Sequence, residues 1–235
     1  MPLNTIVFLI ILIIAVVVVY KAKKLTVNGA LAGGLTAILI YIGAGMAGIT
    51  ELAAFFILAT LATAHKKQLK SNLPNEHHQQ KRNLWQVVAN GGIAAVCGVF
   101  AFLFPSNAKV FQMMMAGSLA SATADTLSSE LGSVYGKRFY NILTSKPDER
   151  GKDGVISLEG TLIGVIGSAI IALMYVAYFG FSNAFYLIIA AGVSGNFIDS
   201  ILGATLERRG SIGNNTVNAI NTFAAAIIVW LLYQL

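Results

Sequence analysis

The sequence predicts an all-α fold, a polytopic transmembrane helix bundle of about eight spans forming one domain over residues 1–235, with both termini outside. Three observations point there. The chain is 56% hydrophobic and only 11% charged, where a soluble domain carries roughly 25% charge. Its mean hydropathy is +0.73. Its apolar residues gather into stretches near the 20 or so residues that cross a bilayer.

The stretches fall at about 3–20, 27–44, 50–64, 85–104, 109–131, 155–179, 183–206 and 214–234. The first runs from Ile6 to Tyr20 into Lys21-Ala22-Lys23-Lys24 without a small-residue cleavage pattern, so it reads as a retained span. The third is short, and the fifth and seventh end in polar residues. Four basic loops separate them, at 21–24, 65–84, 133–153 and 207–213. The connections at Gly43 to Gly48, Pro105 to Ala108 and Gly180 to Ser182 are short. If loop 21–24 is cytoplasmic, alternation puts the other basic loops there too. Fifteen of the sixteen Lys and Arg then lie on that side, all but Lys109, as the positive-inside rule requires. The net charge of +6 therefore describes a surface facing anionic headgroups or anionic substrates, with no nucleic acid implied. Cys97 is a lone thiol in an apolar run and reads as a small buried hydrophobe. On the sixth span Gly160, Gly164 and Ser168 are four apart, and Ala30, Gly34 and Ile38 begin a similar face on the second. Such faces let helix backbones approach closely in lipid.

Ionised groups at membrane depth are costly and usually functional. The fifth span runs through Ser118, Ser121, Asp125 and Ser128, which share one helical face, with Ser129 beside it. Glu130 stands about 140° from Asp125 around an unbroken helix. Both carboxylates reach one ligand only if the helix breaks or ends near Ser128; otherwise Glu130 serves a different partner. The seventh span presents Asn196, Asp199 and Gly203 on one face, ending at Glu207. Its Ala191-Gly192 to Asp199-Ser200 segment parallels Ala116-Gly117 to Asp125-Thr126, a possible internal repeat. Span four opens with Gln86 and Asn90, span six with Ser157, Glu159 and Thr161, and span eight with Asn214, Asn215, Asn218 and Asn221. Clustering at one depth predicts a cavity open to the cytoplasm, with an outer half that is almost purely apolar.

Carboxylates, amides and hydroxyls are hard oxygen donors, suited to Mg²⁺ bridging phosphate oxygens. The loop that follows span five offers Lys137, Arg138, Lys146, Arg150 and Lys152 as cations for phosphate. Gly151-Lys152-Asp153-Gly154 places two glycines before a helix start, where backbone N–H groups can face an anion. The run Gly132 to Arg138 is not a P-loop: it is one residue short, lacks the Ser/Thr after Lys137 and follows a helix. His77-His78 beside Glu76 makes a poor metal site, because adjacent histidines on a helix point apart.

Ala124-Asp125-Thr126-Leu127-Ser128-Ser129-Glu130-Leu131-Gly132 resembles the signature of the phytyl-phosphate kinase family of integral membrane proteins. Gln86 to Gly92, Asp153 to Thr161, Asp199 to Thr205 and the asparagines of the last span extend the resemblance over nearly the whole chain. It implies phosphoryl transfer from a nucleoside triphosphate, CTP by analogy, to a prenyl monophosphate of phytyl or geranylgeranyl type. Joined to the residue reading, it implies Mg²⁺ held by Asp125 with Glu130 or Asp199, and catalytic work by Asp125, Glu130, Lys146 and Arg150. Substrate or nucleotide contacts are expected from Asn90, Ser128, Ser129, Lys137, Gly151, Lys152, Asp153, Gly154, Ser157, Asn196, Asn214 and Asn218. The expected setting is a bacterial or archaeal inner membrane with the site facing the cytoplasm. The alternative from the residues alone is a cation- or proton-coupled transporter using Asp125 and Asp199. Oligomeric state is left open.

Overall fold

The computed structural model describes residues 3–70, 73 and 81–235; His77-His78 lies outside them. The helices are α1 (Leu3–Lys21), α2 (Val27–Ala64), α3 (Lys67–Lys70), α4 (Leu84–Leu103), α5 (Ala108–Tyr135), α6 (Leu158–Phe179), α7 (Ala184–Leu202) and α8 (Asn214–Tyr233). Strands β1 (Tyr140–Asn141) and β2 (Val155–Ile156) pair antiparallel in the loop before α6. Among the described residues five helices, α2, α4, α6, α8 and α7 with its extension to Glu207, are long and apolar enough to cross a membrane. The protein is a membrane-embedded helix bundle.

The apolar stretches at about 27–44 and 50–64 form the two limbs of α2, and their junction is Gly45, at φ 58° and ψ −142°. Only glycine takes such backbone angles without strain. In a straight helix residues 40 and 48 would stand roughly 12 Å apart along the axis. Here a β-carbon on Gly48 would lie 2.6 Å from Ile40 Cγ2. The chain therefore folds back on itself at Gly45.

The centre of the bundle is α5, which packs against α2, α4, α6, α7 and α8. It is not among the five apolar helices. Its hydroxyls and carboxylates are tolerated because they face protein rather than lipid. Met115, Leu119, Ile171, Ile188 and Val229 are fully buried around it. The small-residue face of α6 works as expected. Gly160 meets the Ser128 carbonyl and Gly132, Gly164 meets the Ala124 carbonyl, and Ser168 Oγ lies 3.5 Å from the Ala120 carbonyl. Across the bundle the Gly98 carbonyl occupies the place where a Gly43 side chain would stand, so the first limb of α2 and α4 touch backbone to backbone.

Helix starts follow their sequence signals. Thr26 Oγ1 accepts from the Gly29 N–H at 3.1 Å. Asn83 and Gln86 form a reciprocal capping box on α4. Ser157 Oγ accepts from the Gly160 N–H. α6 thus starts at Leu158, later than the expected residue 155, because Gly154 is followed by strand β2. By contrast, α1 packs chiefly on α2 and leaves most of its surface outward, with Ile11 54% and Val18 56% exposed.

Candidate functional site

Asp125 on α5 and Asp199 on α7 meet, their carboxyls within hydrogen-bonding reach of each other. The two helices come this close because Gly192 and Gly195 give α7 no side chain toward α5. A β-carbon at Gly195 would collide with Ser121 Oγ, and one at Gly192 would lie 2.8 Å from Ala120 Cβ. Two carboxylates this close repel each other unless a cation or a shared proton sits between them.

The pair is oriented from behind. Asn221 Nδ2 donates to Asp199 Oδ2 at 2.6 Å, and Asn221 Oδ1 accepts from Ser121 Oγ at 3.1 Å. Asn221 is fully buried. Ser128 Oγ reaches both the Asp125 carbonyl at 3.1 Å and Asn196 Oδ1 at 3.0 Å. Asn221 was visible in the sequence as the last of four asparagines, but its pairing with Asp199 depends on how α8 packs against α7.

Around the pair lies a cavity of about 1520 Å³. Its polar end is lined by Asp125, Asp199, Glu207, Asp153 and Glu130 together with Lys24, Lys67, Lys70, Arg82 and Lys152. Glu207 reaches this end because α7 finishes in a π turn, Gly203–Glu207. Asn90, Ser128, Ser129, Gly151, Gly154, Ser157, Asn196, Asn214 and Asn218 line the cavity as well. Helix α8 opens here without a side-chain cap, so its first N–H groups remain available to an anion. From this end an apolar limb runs between α1 and both limbs of α2, reaching Phe8 and Met46.

Helix α5 continues unbroken to Tyr135. That settles the conditional placement of Glu130: it is turned away from a shared ligand and accepts from Lys70 Nζ at 2.5 Å. Lys70 is 2% exposed and also donates to the Ala62 and Thr63 carbonyls, closing the last turn of α2. Among the described residues no three His, Cys, Asp or Glu side chains close on one point. Two adjoining carboxylates are nevertheless hard oxygen donors of the kind Mg²⁺ takes, so the chemistry of Asp125 and Asp199 fits that ion.

The cations facing the cavity differ from those expected. Lys137, Lys146 and Arg150 are not in its lining. The β1–β2 pairing carries Lys146 outward, where it is exposed. Arg150 donates to the Leu69 carbonyl at 3.2 Å, and the Lys137 N–H points to Glu159 Oε2. Lys24, Lys67, Lys70 and Arg82 take their place. Lys67 and Lys70 come from α3, and the Lys24 and Arg82 segments, remote in sequence, are tied together where Thr26 N–H donates to the Arg82 carbonyl and Arg82 N–H to the Lys24 carbonyl, each at 3.0 Å. Burial lowers the Arg82 guanidinium from its ordinary value, while Glu130 opposes that shift.

The 148–154 segment is clamped over the cavity. Arg208 pairs with Asp148 at 2.8 Å and donates from Nε to the Asp153 carbonyl at 2.6 Å. The N–H of Glu149 and the Arg208 guanidinium hold the Asp148 carboxyl below the usual carboxylate range. Glu149 raises the Lys152 ammonium that it binds at 2.8 Å. Gly154 has φ +68°, and a β-carbon there would lie 2.5 Å from the Ser200 carbonyl. Its glycine character therefore seats this loop on α7, three residues before the α6 cap rather than at it.

The far half of the bundle is less apolar than expected. Glu51, six residues beyond the Gly45 reversal, is 1% exposed and its Oε2 finds no partner among the described residues. Tyr175, within electrostatic reach of Glu51, is equally buried with an unpartnered hydroxyl. No local sequence pattern marks either residue: their burial depends on how α2 and α6 pack.

Comparison with known proteins follows the same lines. The profile of an integral membrane protein family, DUF92, matches residues 10–226. The uncharacterized membrane protein MJ0933 of Methanocaldococcus jannaschii is 33% identical over 228 residues, covering 96% of this chain and 94% of that one. Protein VTE6, chloroplastic, of Arabidopsis thaliana is 29% identical over 219 residues, covering 89% of this chain and 66% of the plant protein. The uncharacterized membrane protein sll0875 of Synechocystis is 28% identical over 227 residues, covering 92% of this chain and 85% of that one. No solved structure matches.

Proposed function

The chain belongs to the integral membrane protein family DUF92, and from that premise we propose that it is a prenyl-phosphate kinase. It passes a phosphoryl group from a nucleoside triphosphate, CTP, to a phytyl- or geranylgeranyl-type monophosphate and releases the prenyl diphosphate. The observation that carries this reading is one cavity that joins the Asp125–Asp199 pair to an apolar limb. The sequence resemblance to the phytyl-phosphate kinase family and the similarity to VTE6 support it.

In this reading Asp125 and Asp199 hold Mg²⁺, which offsets charge on the phosphate oxygens. Asn221 keeps Asp199 turned toward the pair. Arg82, Lys67 and Lys152 attract the polyphosphate, and the uncapped start of α8 offers N–H groups to it. The acceptor phosphate is already an anion, so no strong base is needed. Alignment and charge neutralisation supply the rate. The polar end faces the cytoplasm, where the soluble nucleotide is found.

The test is to incubate purified protein with labelled CTP, Mg²⁺ and phytyl, geranylgeranyl or farnesyl monophosphate. Labelled prenyl diphosphate is the expected product. No transfer from CTP or any other nucleoside triphosphate to any of them sinks the reading. Buried Glu51 favours one second reading, a cation- or proton-coupled transporter, because it extends acidic groups into the far half. Ion-dependent uptake in liposomes that Glu51→Gln abolishes, with no phosphoryl transfer, would establish that one instead.

A further inference from the structure

Most of α1 faces outward, yet Phe8 is only 4% exposed. Its ring lies flat on Tyr41, with centroids 3.8 Å apart and planes 5° from parallel. Among the described side chains of α1, those of Val7 and Phe8 are the first to line the cavity and mark its far end on that side. Met46 and Ile49 mark it on the second limb of α2. From Met46 to Ala64 the lining follows 19 residues of helix, a rise of roughly 27 Å that nearly matches the hydrocarbon thickness of about 30 Å. Ile11, Val18 and Ile57 line this limb and are also more than half exposed, so it opens sideways at membrane depth.

We propose that this limb is the binding slot for the isoprenoid tail of the acceptor lipid, and that Phe8 sets the longest chain it holds. The inference rests on the prenyl-phosphate reading and adds the residue that decides chain length. One observation selects the occupant: the limb is continuous with an end where five cations and the uncapped α8 start stand beside the Asp125–Asp199 pair and three further carboxylates, a setting for a phosphate head with a cation between it and the carboxylates. A ligand filling both parts has one anionic head and one long apolar tail. The stacked Phe8–Tyr41 pair is a rigid stop, since each ring holds the other in place.

The test measures binding without nucleotide, so it does not depend on turnover. Full-length protein is offered an equimolar mixture of farnesyl, geranylgeranyl and geranylfarnesyl monophosphates, and retained lipid is read by native mass spectrometry. Phe8→Ala opens room for at least two further methylenes at about 0.8 kcal/mol each, so preference should move about tenfold toward the longest chain. Phe8→Trp should move it toward farnesyl. Phe102→Ala, a change of an exposed ring on α4 outside the lining, should leave preference as in wild type. Unchanged preference in both Phe8 variants overturns the proposal, as does wild-type protein that retains a phospholipid and none of the monophosphates. If the shift appears while wild type transfers no phosphoryl group, the slot stands and the kinase reading falls. If wild type turns over normally and no shift appears, the kinase reading stands and the slot falls.

Discussion

Asn221 Nδ2 donates to Asp199 Oδ2 at 2.6 Å from a fully buried position, so a neutral amide on α8 fixes the carboxylate that meets Asp125. Removing such an outer partner typically lowers metal affinity or activity by about 10–100-fold. Asn221→Ala should therefore reduce phosphoryl transfer within that range and raise the Mg²⁺ concentration for half-maximal rate. A purely structural role would lower the melting temperature and leave the Mg²⁺ dependence where it was.

Asp125→Asn should cut transfer by at least about 10²-fold, the scale of losing one electrostatic contributor in a dry site. The same change removes one of two adjoining acidic groups, so thermal stability in detergent should be equal to or above wild type. Wild-type turnover in the purified variant would remove Asp125 from the site.

The Lys70–Glu130 pair makes a different prediction. Lys70 is 2% exposed and Glu130 24%, and breaking a buried pair leaves one charge without compensation. Lys70→Met should cost about 3 kcal/mol, the low end for such pairs because Glu130 keeps some solvent. Lys70→Met with Glu130→Met should recover much of that loss. Denaturant unfolding of the two single variants and the double variant measures the coupling, and strict additivity would show that the contact contributes nothing.

The Asp148–Arg208 clamp predicts a pH dependence with a definite sign. The folded carboxyl lies below its unfolded value, first through the Glu149 N–H and then through Arg208. Its contribution is present above the unfolded value of about 3.9 and is lost as pH falls through the lower folded value. Hydrogen exchange across residues 139–156, corrected for intrinsic rate, should show constant protection from pH 7 to pH 5 and loosening only below about pH 4. Arg208→Ala should loosen the same segment at neutral pH.

The sequence carried the bundle, its helix starts and the depth at which polar groups gather, because hydrophobic spacing and capping residues are local signals. Asp125, Asp199 and Asn196 could be grouped since each repeats on one helical face. What lay beyond local reasoning was register between distant segments. Lys70 and Arg82 belong to the 65–84 loop, and only its packing against α5 and residues 24–26 turns them toward the cavity. Lys146 and Arg150 were nearer in sequence to the carboxylates, but the β1–β2 pairing and the Leu69 carbonyl draw them off. Gly45 stood in a segment recognisable as a connection, yet its φ of 58°, which lets one helix become a hairpin, has no signature distinct from any other glycine.

The sideways opening past Ile11, Val18 and Ile57 has a consequence for how any rate would be measured. A ligand that arrives through the wall of the bundle is met at its mole fraction in the leaflet, not at its bulk concentration. Adding empty detergent micelles at constant total lipid would then slow the protein by surface dilution. The same amount of water would not.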